Sequence, residues 1–343
     1  NSAKIISHAF GENRVSTLPY SLIEVYRSTD VLISSAFYNN TLKAEIIYAT
    51  RNTNLIVNNS IFTGNNVTKP VSSKSNGQII ISECTFTENT VENVVLSDND
   101  KNLSVLESVF SDNTLSGYGA LHIASDVNAT VNGSVFTNNK ADKYRNIYSV
   151  CDVNISNSVF DAVNVDFTVH DIDYGQNETI NGTIDIGTNL NFTVNLDINS
   201  KSYSVNVTDN KFTLNAGILN GGDYTAALNA KDNNSNTYVF NKITKIFTVS
   251  RVDPGLNVSI DDITQGEKLE VNAELINNAT DKILYQLNGQ WYDEAQLENI
   301  TLTHGNYLVT AAYSGNKNYY PLGIPIYVEV DKITPKITVS DVE

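Results

Sequence analysis

Apolar and polar residues alternate in short runs along the first half of the chain, as in "ISECTFTEN" at 81–89. A period of two is typical of β-strands, whose successive side chains point to opposite faces. Each run carries a phenylalanine, and these recur 24 to 27 residues apart at Phe10, Phe37, Phe62, Phe86, Phe110, Phe136 and Phe160. A repeat of this length is too short to bury a hydrophobic face alone, so the copies are expected to stack into a solenoid with one shared core.

Two further positions repeat with the phenylalanines. Two residues earlier stand Ser35, Ser60, Cys84, Ser108, Ser134 and Ser158, with His8 in the first copy, and we expect all of them to face inward. Three residues later stand Asn13, Asn40, Asn65, Asn89, Asn113 and Asn139, which suit left-handed corners between short strands and would form a ladder. The seventh copy has Val163 instead, so we place the end of the solenoid there and expect 161–170 to cover it.

Longer alternating strands with "NGG", "DNN" and "DPG" turns follow from about residue 166 and predict β-sandwich modules. "RVDPGLNVSI" at 251–260 returns as "KITPKITVSD" at 332–341, which is 81 residues later. The predicted domains are therefore 1–165 (solenoid), 166–250 and 251–331 (two modules), and 332–343 (the first strand of a further module, or a tail). The predicted fold class is all-β: a right-handed parallel β-helix of about seven rungs followed by two immunoglobulin-like β-sandwiches.

The "NSxFxxN" rungs resemble those of adhesin-like proteins of methanogenic archaea and of polymorphic outer-membrane proteins of some bacteria. "HGNYLVTAAYSGNKNYYP" at 304–321 resembles the F and G strands of bacterial and archaeal immunoglobulin-like repeats. A β-helix followed by tandem modules of this kind is the layout of the methanogen adhesin-like proteins. The resemblance implies an extracellular, non-catalytic binding protein at a cell surface.

The composition limits the classes of partner that the protein is expected to bind. A net charge of −16 disfavours nucleic acid and anionic membranes as partners, and suits solubility in a salty exterior. With neither a leader nor a long apolar run in the sequence, we interpret the chain as a fragment whose membrane or cell-wall attachment lies elsewhere. Cys84 and Cys151 lie about three rungs apart, which is too far for a disulfide. We expect a monomer.

Two groups of residues are candidate binding sites. Asp100, Asp126 and Asp152 each begin a similar string, "DKNLS", "DVNAT" and "DVNIS". Three carboxylates stacked at rung spacing would repel one another, and a Ca²⁺ ion would relieve this; the alternative is that they are plain turn residues in water. Trp291 and Tyr292 form the second candidate, a platform for a sugar ring, with the alternative that they belong to the sandwich wall.

A β-helix also suits polysaccharide lyases and hydrolases, which need carboxylates or a basic residue converging on one sugar. The arginines and the four histidines fall in unrelated registers, so the sequence favours a protein that is not an enzyme. We expect it to bind a glycan or protein ligand on another cell through its solenoid, with the sandwich modules as a stalk. A polysaccharide-active enzyme and a passive cell-wall spacer remain as alternatives.

Overall fold

Short β-strands make up nearly all the regular structure of the computed structural model, which describes residues 2–15, 20–335, 337 and 338. The chain divides into two compact units. Unit 1 comprises 1–169, 179–214 and 225–245, and unit 2 comprises 170–178, 215–224 and 246–343. The predicted all-β fold class is confirmed.

The described residues up to 161 contain the repeated strands of the solenoid. They are β1 (Ser2–Gly11), β2 (Arg14–Val15), β3 (Ile23–Tyr26), β4 (Asp30–Tyr38), β5 (Thr41–Leu42), β6 (Ile47–Thr50), β7 (Asn54–Asn58), β8 (Ile61–Thr63), β9 (Val71–Lys74), β10 (Gln78–Ser82), β11 (Thr85–Thr87), β12 (Thr90–Val91), β13 (Val95–Asp98), β14 (Asn102–Leu106), β15 (Val109–Ser111), β16 (Thr114–Leu115), β17 (Leu121–Ile123), β18 (Asn128–Asn132), β19 (Val135–Thr137), β20 (Ile147–Ser149), β21 (Val153–Ser156) and β22 (Val159–Asp161).

Every pair among these strands is parallel, and each strand pairs with its copy one rung away. Three stacks result. Face A contains β4, β7, β10, β14, β18 and β21; face B contains β8, β11, β15, β19 and β22; face C contains β3, β6, β9, β13, β17 and β20. The long β4 runs through both face A and face B.

The phenylalanines form a continuous column inside face B, as predicted. Consecutive rings from Phe10 to Phe160 stack with centroids 4.7 to 5.2 Å apart. The six rings from Phe37 onward are at most 1% exposed, whereas Phe10 is half-buried. The serine column beside them is buried too, but His8 is exposed because a bulge between Ile6 and Ala9 interrupts the pairing of β1 with β4. The inward assignment of His8 was wrong.

The asparagine ladder lies at the corner after face B. Asn40, Asn65, Asn89, Asn113 and Asn139 are buried, and Asn13 is half-buried. Each Oδ1 accepts hydrogen bonds from the backbone N–H and the Nδ2 of the asparagine one rung before, for example Asn89 to Asn113 at 3.1 and 2.9 Å. The left-handed residue is not the asparagine but the one before it, such as Glu88 at φ 57° and Asp112 at φ 57°. The predicted corner is confirmed, and its conformational assignment shifts by one residue.

A second buried ladder lies at the corner after face C. Asn52 accepts from the backbone of Ser28, Asn76 accepts from Asn52, and Asp100 accepts from Asn76. Residues with positive φ again precede the ladder positions, as at Arg51 and Ser75. These side-chain oxygens satisfy backbone donors that the sharp corners leave without a strand partner.

The first module supplies β23 (Val163–Thr168), β24 (Ile172–Asp173), β25 (Asn177–Asp185), β26 (Phe192–Ile198), β27 (Lys201–Val207), β28 (Lys211–Ile218), β29 (Gly222–Leu228), β30 (Thr237–Val239) and β31 (Thr244–Ser250). Within unit 1, β26 pairs antiparallel with β27 and with the end of β29. Strands β25, β28, β29 and β31 run from one unit into the other along the chain. The predicted limits of the first module, 166 and 250, therefore do not coincide with the limits of the compact units.

Two later segments, not 161–170, cover the end of the solenoid. Residues 163–168 turn away as β23 and pair antiparallel with β25. In their place β30 stacks parallel on β22, with Phe160 opposite Tyr238. The carbonyl of Gly187 accepts from the backbone N–H groups of Asn146 and Ile147 on face C. The last rung is thus built from 187–189 and 237–239, and the prediction for 161–170 was wrong.

The side chains at this end repeat the internal ladders. Asn236 Oδ1 accepts from the Ser158 backbone N–H at 3.0 Å. It has the role that Ser158 Oγ has one rung earlier, where that oxygen accepts from the Ser134 backbone N–H. Asn146 Oδ1 accepts from Asn139 Nδ2 at 3.0 Å and so continues the asparagine ladder where Val163 fails to. Arg145 closes the corner by reaching Asp185 at 3.2 Å.

Unit 2 contains the second module, with β32 (Leu256–Ile260), β33 (Ile263–Thr264), β34 (Val271–Leu275), β35 (Ile283–Leu287), β36 (Gln290–Tyr292), α1 (Glu294–Leu297), β37 (Gly305–Tyr313) and β38 (Leu322–Asp331). A pair, β32–β34, and a five-stranded sheet, β33-β38-β37-β35-β36, enclose one core with Leu269, Leu287 and Val309 at its centre. This is the two-layer arrangement of the predicted sandwich. No strand occupies 332–335, 337 or 338, and the remaining positions of the predicted 332–343 segment lie outside the described residues.

Candidate functional site

Four aromatic side chains gather on the outside of face C. Tyr148 lies at the centre, with ring centroids 5.0 Å from Tyr118, 5.3 Å from Tyr144 and 5.2 Å from His122. Tyr118 is 49% exposed, and the other three are half-buried. We call these four residues the aromatic patch. No protein partner is found for the three tyrosine hydroxyls among the described residues, so their polar ends face water.

Strand alternation and two glycines bring the patch together. His122 and Tyr148 pair directly in the face C register, and both point outward because Leu121 and Ile147 point inward. Tyr118 is carried by the loop "SGYGAL" at 116–121. A Cβ at Gly117 would lie 2.7 Å from the Glu92 carbonyl oxygen, and one at Gly119 would lie 2.7 Å from the Tyr148 backbone nitrogen. The loop therefore rests directly on its neighbours only because both positions are glycine.

Asn93 fixes the loop and the imidazole from below. It is 4% exposed, and its Nδ2 donates to the carbonyl oxygens of Tyr118 at 2.7 Å and Gly119 at 3.2 Å. Its Oδ1 lies 3.4 Å from His122 Nδ1, which places the proton on Nδ1 and leaves Nε2 as an acceptor. The patch is thereby held on buried hydrogen bonds.

The charges around the patch are balanced. Lys69 Nζ lies 2.7 Å from Glu92 Oε2, and the Lys69 side chain is only 14% exposed. Burial lowers the pKa of His122, and the Lys69 ammonium lowers it further, so the imidazole is neutral at pH 7. A groove of about 370 Å³, lined among others by Thr68, Glu92 and Ser116, adjoins the patch where Ser116 leads into Gly117.

The three aspartates of the predicted calcium site do not lie on one ladder. Asp100 is buried and accepts from Ser97 and Asn76, whereas Asp126 and Asp152 are exposed. Ala129 pairs with Val153, so Asp152 falls opposite Asn128 rather than Asp126. Ile123 pairs with Ser149 and Ala129 pairs with Val153, so the segment 124–128 between these pairs is two residues longer than 150–152, which shifts the register. Among the residues that the structure describes, no three His, Cys, Asp or Glu side chains are grouped to hold a metal ion.

Trp291 and Tyr292 lie on β36, the edge strand of the second module. Trp291 is 52% exposed, and Tyr292 packs against the core. The alternative that these residues belong to the sandwich wall thus holds for Tyr292, whereas the ring of Trp291 is exposed. Its predicted role in sugar binding stays a prediction.

The remaining candidates are dispersed. The four histidines lie apart on β1, on β17, before β24 and before β37. Cys84 and Cys151 are free, as predicted. Burial raises the pKa of the Cys84 thiol to about 11, which keeps it protonated as a core residue.

Sequence reasoning missed the aromatic patch. Its signal was present, because "YGALHI" at 118–123 and "YRNIYS" at 144–149 align tyrosines and a histidine in consecutive copies. The phenylalanine rungs defined the repeat, and the third strand of each copy was not aligned. Without that alignment, His122 and Tyr148 appear unrelated.

Comparisons with known proteins bear mainly on the fold. No curated protein matches the chain. Among solved structures, fibronectin(III)-like modules of Clostridium thermocellum CbhA align at 11% identity over 51% of this chain and 100% of theirs, with a TM-score of 0.21. A bacterial ice-binding adhesin aligns at 12% identity over 53% of this chain and 67% of its own, also with a TM-score of 0.21.

The described part of the chain contains no helix that is long and apolar enough to cross a bilayer.

Residues 6–160 match the family described as "Right handed beta helix region". These limits cover nearly the whole solenoid, so the first half of the chain is a right-handed parallel β-helix.

Proposed function

We propose that the protein is an extracellular, adhesin-like protein of the cell surface that binds a ligand on another cell without a chemical step. The β-helix would carry the binding surface and the sandwich modules would serve as a stalk. The right-handed β-helix fold, which suits both adhesins and polysaccharide enzymes, leaves either class open, so the proposal depends on the site.

The aromatic patch is the observation that carries the proposal. It is a partly exposed surface held by the buried hydrogen bonds of Asn93, its neighbours Lys69 and Glu92 are paired with each other, and His122 is neutral. A glycosidase needs two carboxylates on either side of one sugar. Glu92 is paired with Lys69, and Asp98, the carboxylate that acts on His122, is paired with Lys74 at 3.2 Å, which favours binding over catalysis.

Adhesion of coated beads tests the function. Beads carrying the whole chain should attach to a panel of microbial and host cells above the level of beads carrying a denatured sample. The same preparation should release no new reducing ends or unsaturated products from neutral and acidic polysaccharides. Attachment to no cell type would favour the passive spacer, and product release would favour the polysaccharide-active enzyme.

A further inference from the structure

We infer that the aromatic patch of Tyr118, His122, Tyr144 and Tyr148 is a binding site for a neutral hexopyranose within a glycan chain. This inference deepens the proposed function by naming its ligand class and its residues. A sugar ring presents C–H groups on its faces and hydroxyls around its rim. An exposed aromatic surface with polar groups at its edge complements both.

The ring geometry provides the stacking surface. Tyr118 and Tyr148 are inclined by 30° with centroids 5.0 Å apart, Tyr144 and Tyr148 are inclined by 30° at 5.3 Å, and Tyr118 and Tyr144 lie 6.4 Å apart at 47°, so the three rings form a triangle. His122 meets Tyr148 edge-on at 71°. The three tyrosines thus form a compact cluster whose most exposed member is Tyr118, and such an open cluster suits a sugar within a chain better than a compact molecule needing a closed cavity.

The polar groups at the edge match hydroxyls. Nε2 of His122 is an acceptor, because Nδ1 faces Asn93 Oδ1. The tyrosine hydroxyls act as both donors and acceptors. Lys69 and Glu92 are held together at 2.7 Å and offer further donors and acceptors to hydroxyls that reach past the rings. Since Tyr and His side chains are restricted by packing here, binding orders few additional groups.

Charge complementarity selects a neutral glycan. The chain as a whole carries a net charge of −16, so an acidic polysaccharide is repelled at long range. At the patch, Lys69, the ammonium that acts on His122, is paired with Glu92. A basic ligand would be attracted by an unpaired carboxylate, whereas Glu92 and Asp98 are paired with Lys69 and Lys74. The adjoining groove of about 370 Å³ extends the surface for neighbouring sugars of the same chain.

Calorimetric titration of the whole chain with hexasaccharides tests the site. The probes are neutral β-linked glucose, mannose and N-acetylglucosamine oligomers and, as the acidic comparison, a galacturonic acid oligomer. At least one neutral oligomer should bind, with at least tenfold weaker affinity for Tyr148→Ala and at least threefold weaker affinity for Tyr118→Ala. The acidic oligomer should bind at least tenfold more weakly than the best neutral one.

Tyr26→Ala is the matched control. Tyr26 lies on the same solenoid and is 51% exposed, close to the 49% of Tyr118, but it contacts Arg27 and Arg51 instead of the patch. Its affinity should equal that of the unsubstituted chain. Tyr148→Phe retains the ring and should lose less affinity than Tyr148→Ala. If Tyr148→Ala does not fold, the loop variant Tyr118→Ala carries the test.

Two results would overturn the inference: no binding of any neutral oligomer, or equal affinity in Tyr118→Ala, Tyr148→Ala and Tyr26→Ala. Bead adhesion with the same variants separates it from the proposed function. Adhesion that persists in Tyr148→Ala retains the adhesin and rejects the patch. Absent adhesion together with neutral oligomer binding retains the patch and rejects the adhesin.

Discussion

Asp100 is the exception among the buried ladder residues. It occupies the position that Asn52 and Asn76 hold in earlier rungs, with Oδ1 accepting from Asn76 and Oδ2 accepting from Ser97. Burial outweighs these hydrogen bonds and raises the pKa of the Asp100 carboxyl. An amide would keep the Oδ1 contact and would add a donor without a buried charge.

Asp100→Asn should therefore stabilise the protein at pH 7 by about 1–2 kcal/mol. Between the ordinary and the raised pKa, the folded protein binds more protons than the unfolded chain. The unfolding free energy contributed by Asp100 thus falls as pH rises through that window, and Asp100→Asn should remove this fall. Urea titrations between pH 4 and 8 measure it, with the exposed Asp126→Asn as control. Lower stability of Asp100→Asn at pH 7 would refute the assignment.

Removing a ring from the phenylalanine column should be costly. Phe110 is fully buried, with neighbouring rings at 4.9 and 4.7 Å, so Phe110→Ala should lower the unfolding free energy by about 3–5 kcal/mol. The half-buried Phe10→Ala and the partly buried Tyr292→Ala should each lose less. Denaturant unfolding followed by far-UV circular dichroism checks the order. Equal, small losses would contradict the column as the centre of the core.

Whether the burial and contacts of a residue could be predicted from the sequence depends on where its contact partners lie in the chain. Phe86 and Asn89 contact their own copies one rung away, so their period reveals both burial and ladder. The prediction that His8 faces inward was wrong because a bulge in the first rung interrupts the alternation. The predicted alignment of Asp152 with Asp126 was wrong because the segment before Asp152 has a different length, which shifts the register by two residues. The aromatic patch combines one aligned pair, Tyr118 and Tyr144, with His122 opposite Tyr148, and this short repeat differs from the phenylalanine period.

At the scale of elements, the corners depend on the ladder amides. Asn113 Oδ1 receives two hydrogen bonds from Asn89, and its Nδ2 donates to the Phe86 carbonyl at 3.0 Å. Parallel strands of three to five residues offer few ladder bonds of their own. Most of the hydrogen bonds to backbone groups at a corner therefore come from one side chain.

Asn113→Ala should lower the unfolding free energy by about 2–4 kcal/mol, because it leaves a buried N–H and a buried C=O without partners. Asn113→Asp keeps the acceptor for Asn89 and should lose less at pH 5 than at pH 8, where the buried carboxylate is charged. Thermal unfolding of both variants at the two pH values provides the measurement. An Asn113→Ala midpoint equal to that of the parent would show that the ladder contributes nothing.

The end of the solenoid could not have been predicted from local pattern alone. Thr237 pairs with Val159 from 78 residues away, and only the spacing of Asn236 and Tyr238 repeats that of Ser158 and Phe160. One copy of a motif, set among sandwich strands, gives no period to detect. The sandwich module itself was predictable, because Tyr313 and Val309 fall at the buried positions that the alternation requires.

At the scale of the whole molecule, unit 1 joins the β-helix to segments of the first sandwich. A chain cut after residue 160 lacks 187–189 and 237–239, so β22 is left as an open edge. We expect the 1–160 fragment to aggregate and the 1–250 fragment to bury that edge. Light scattering and size-exclusion chromatography compare them. A soluble, monomeric 1–160 fragment would show that the edge needs no cover.

Asn236→Ala tests the same closure in the intact chain. It removes the acceptor for the Ser158 backbone N–H and a donor to Asp232 Oδ2. We expect about 1–3 kcal/mol lower stability and faster hydrogen exchange at 158–160, while exchange in the second module stays unchanged. Asn233→Ala, at an exposed position of the same loop, is the control. Uniform exchange changes across both units would contradict a local closing role.

The last rung also sets an order of events during biosynthesis. The β-helix strands up to residue 161 are complete well before residue 239 leaves the ribosome, which synthesises about 5–20 residues per second. For roughly 4–16 s, therefore, the nascent solenoid ends in an uncovered β22. During this interval, another nascent copy presenting β30 competes with the chain's own β30 for the same edge. We therefore expect that closure of each solenoid by its own β30 depends on how widely neighbouring ribosomes are spaced.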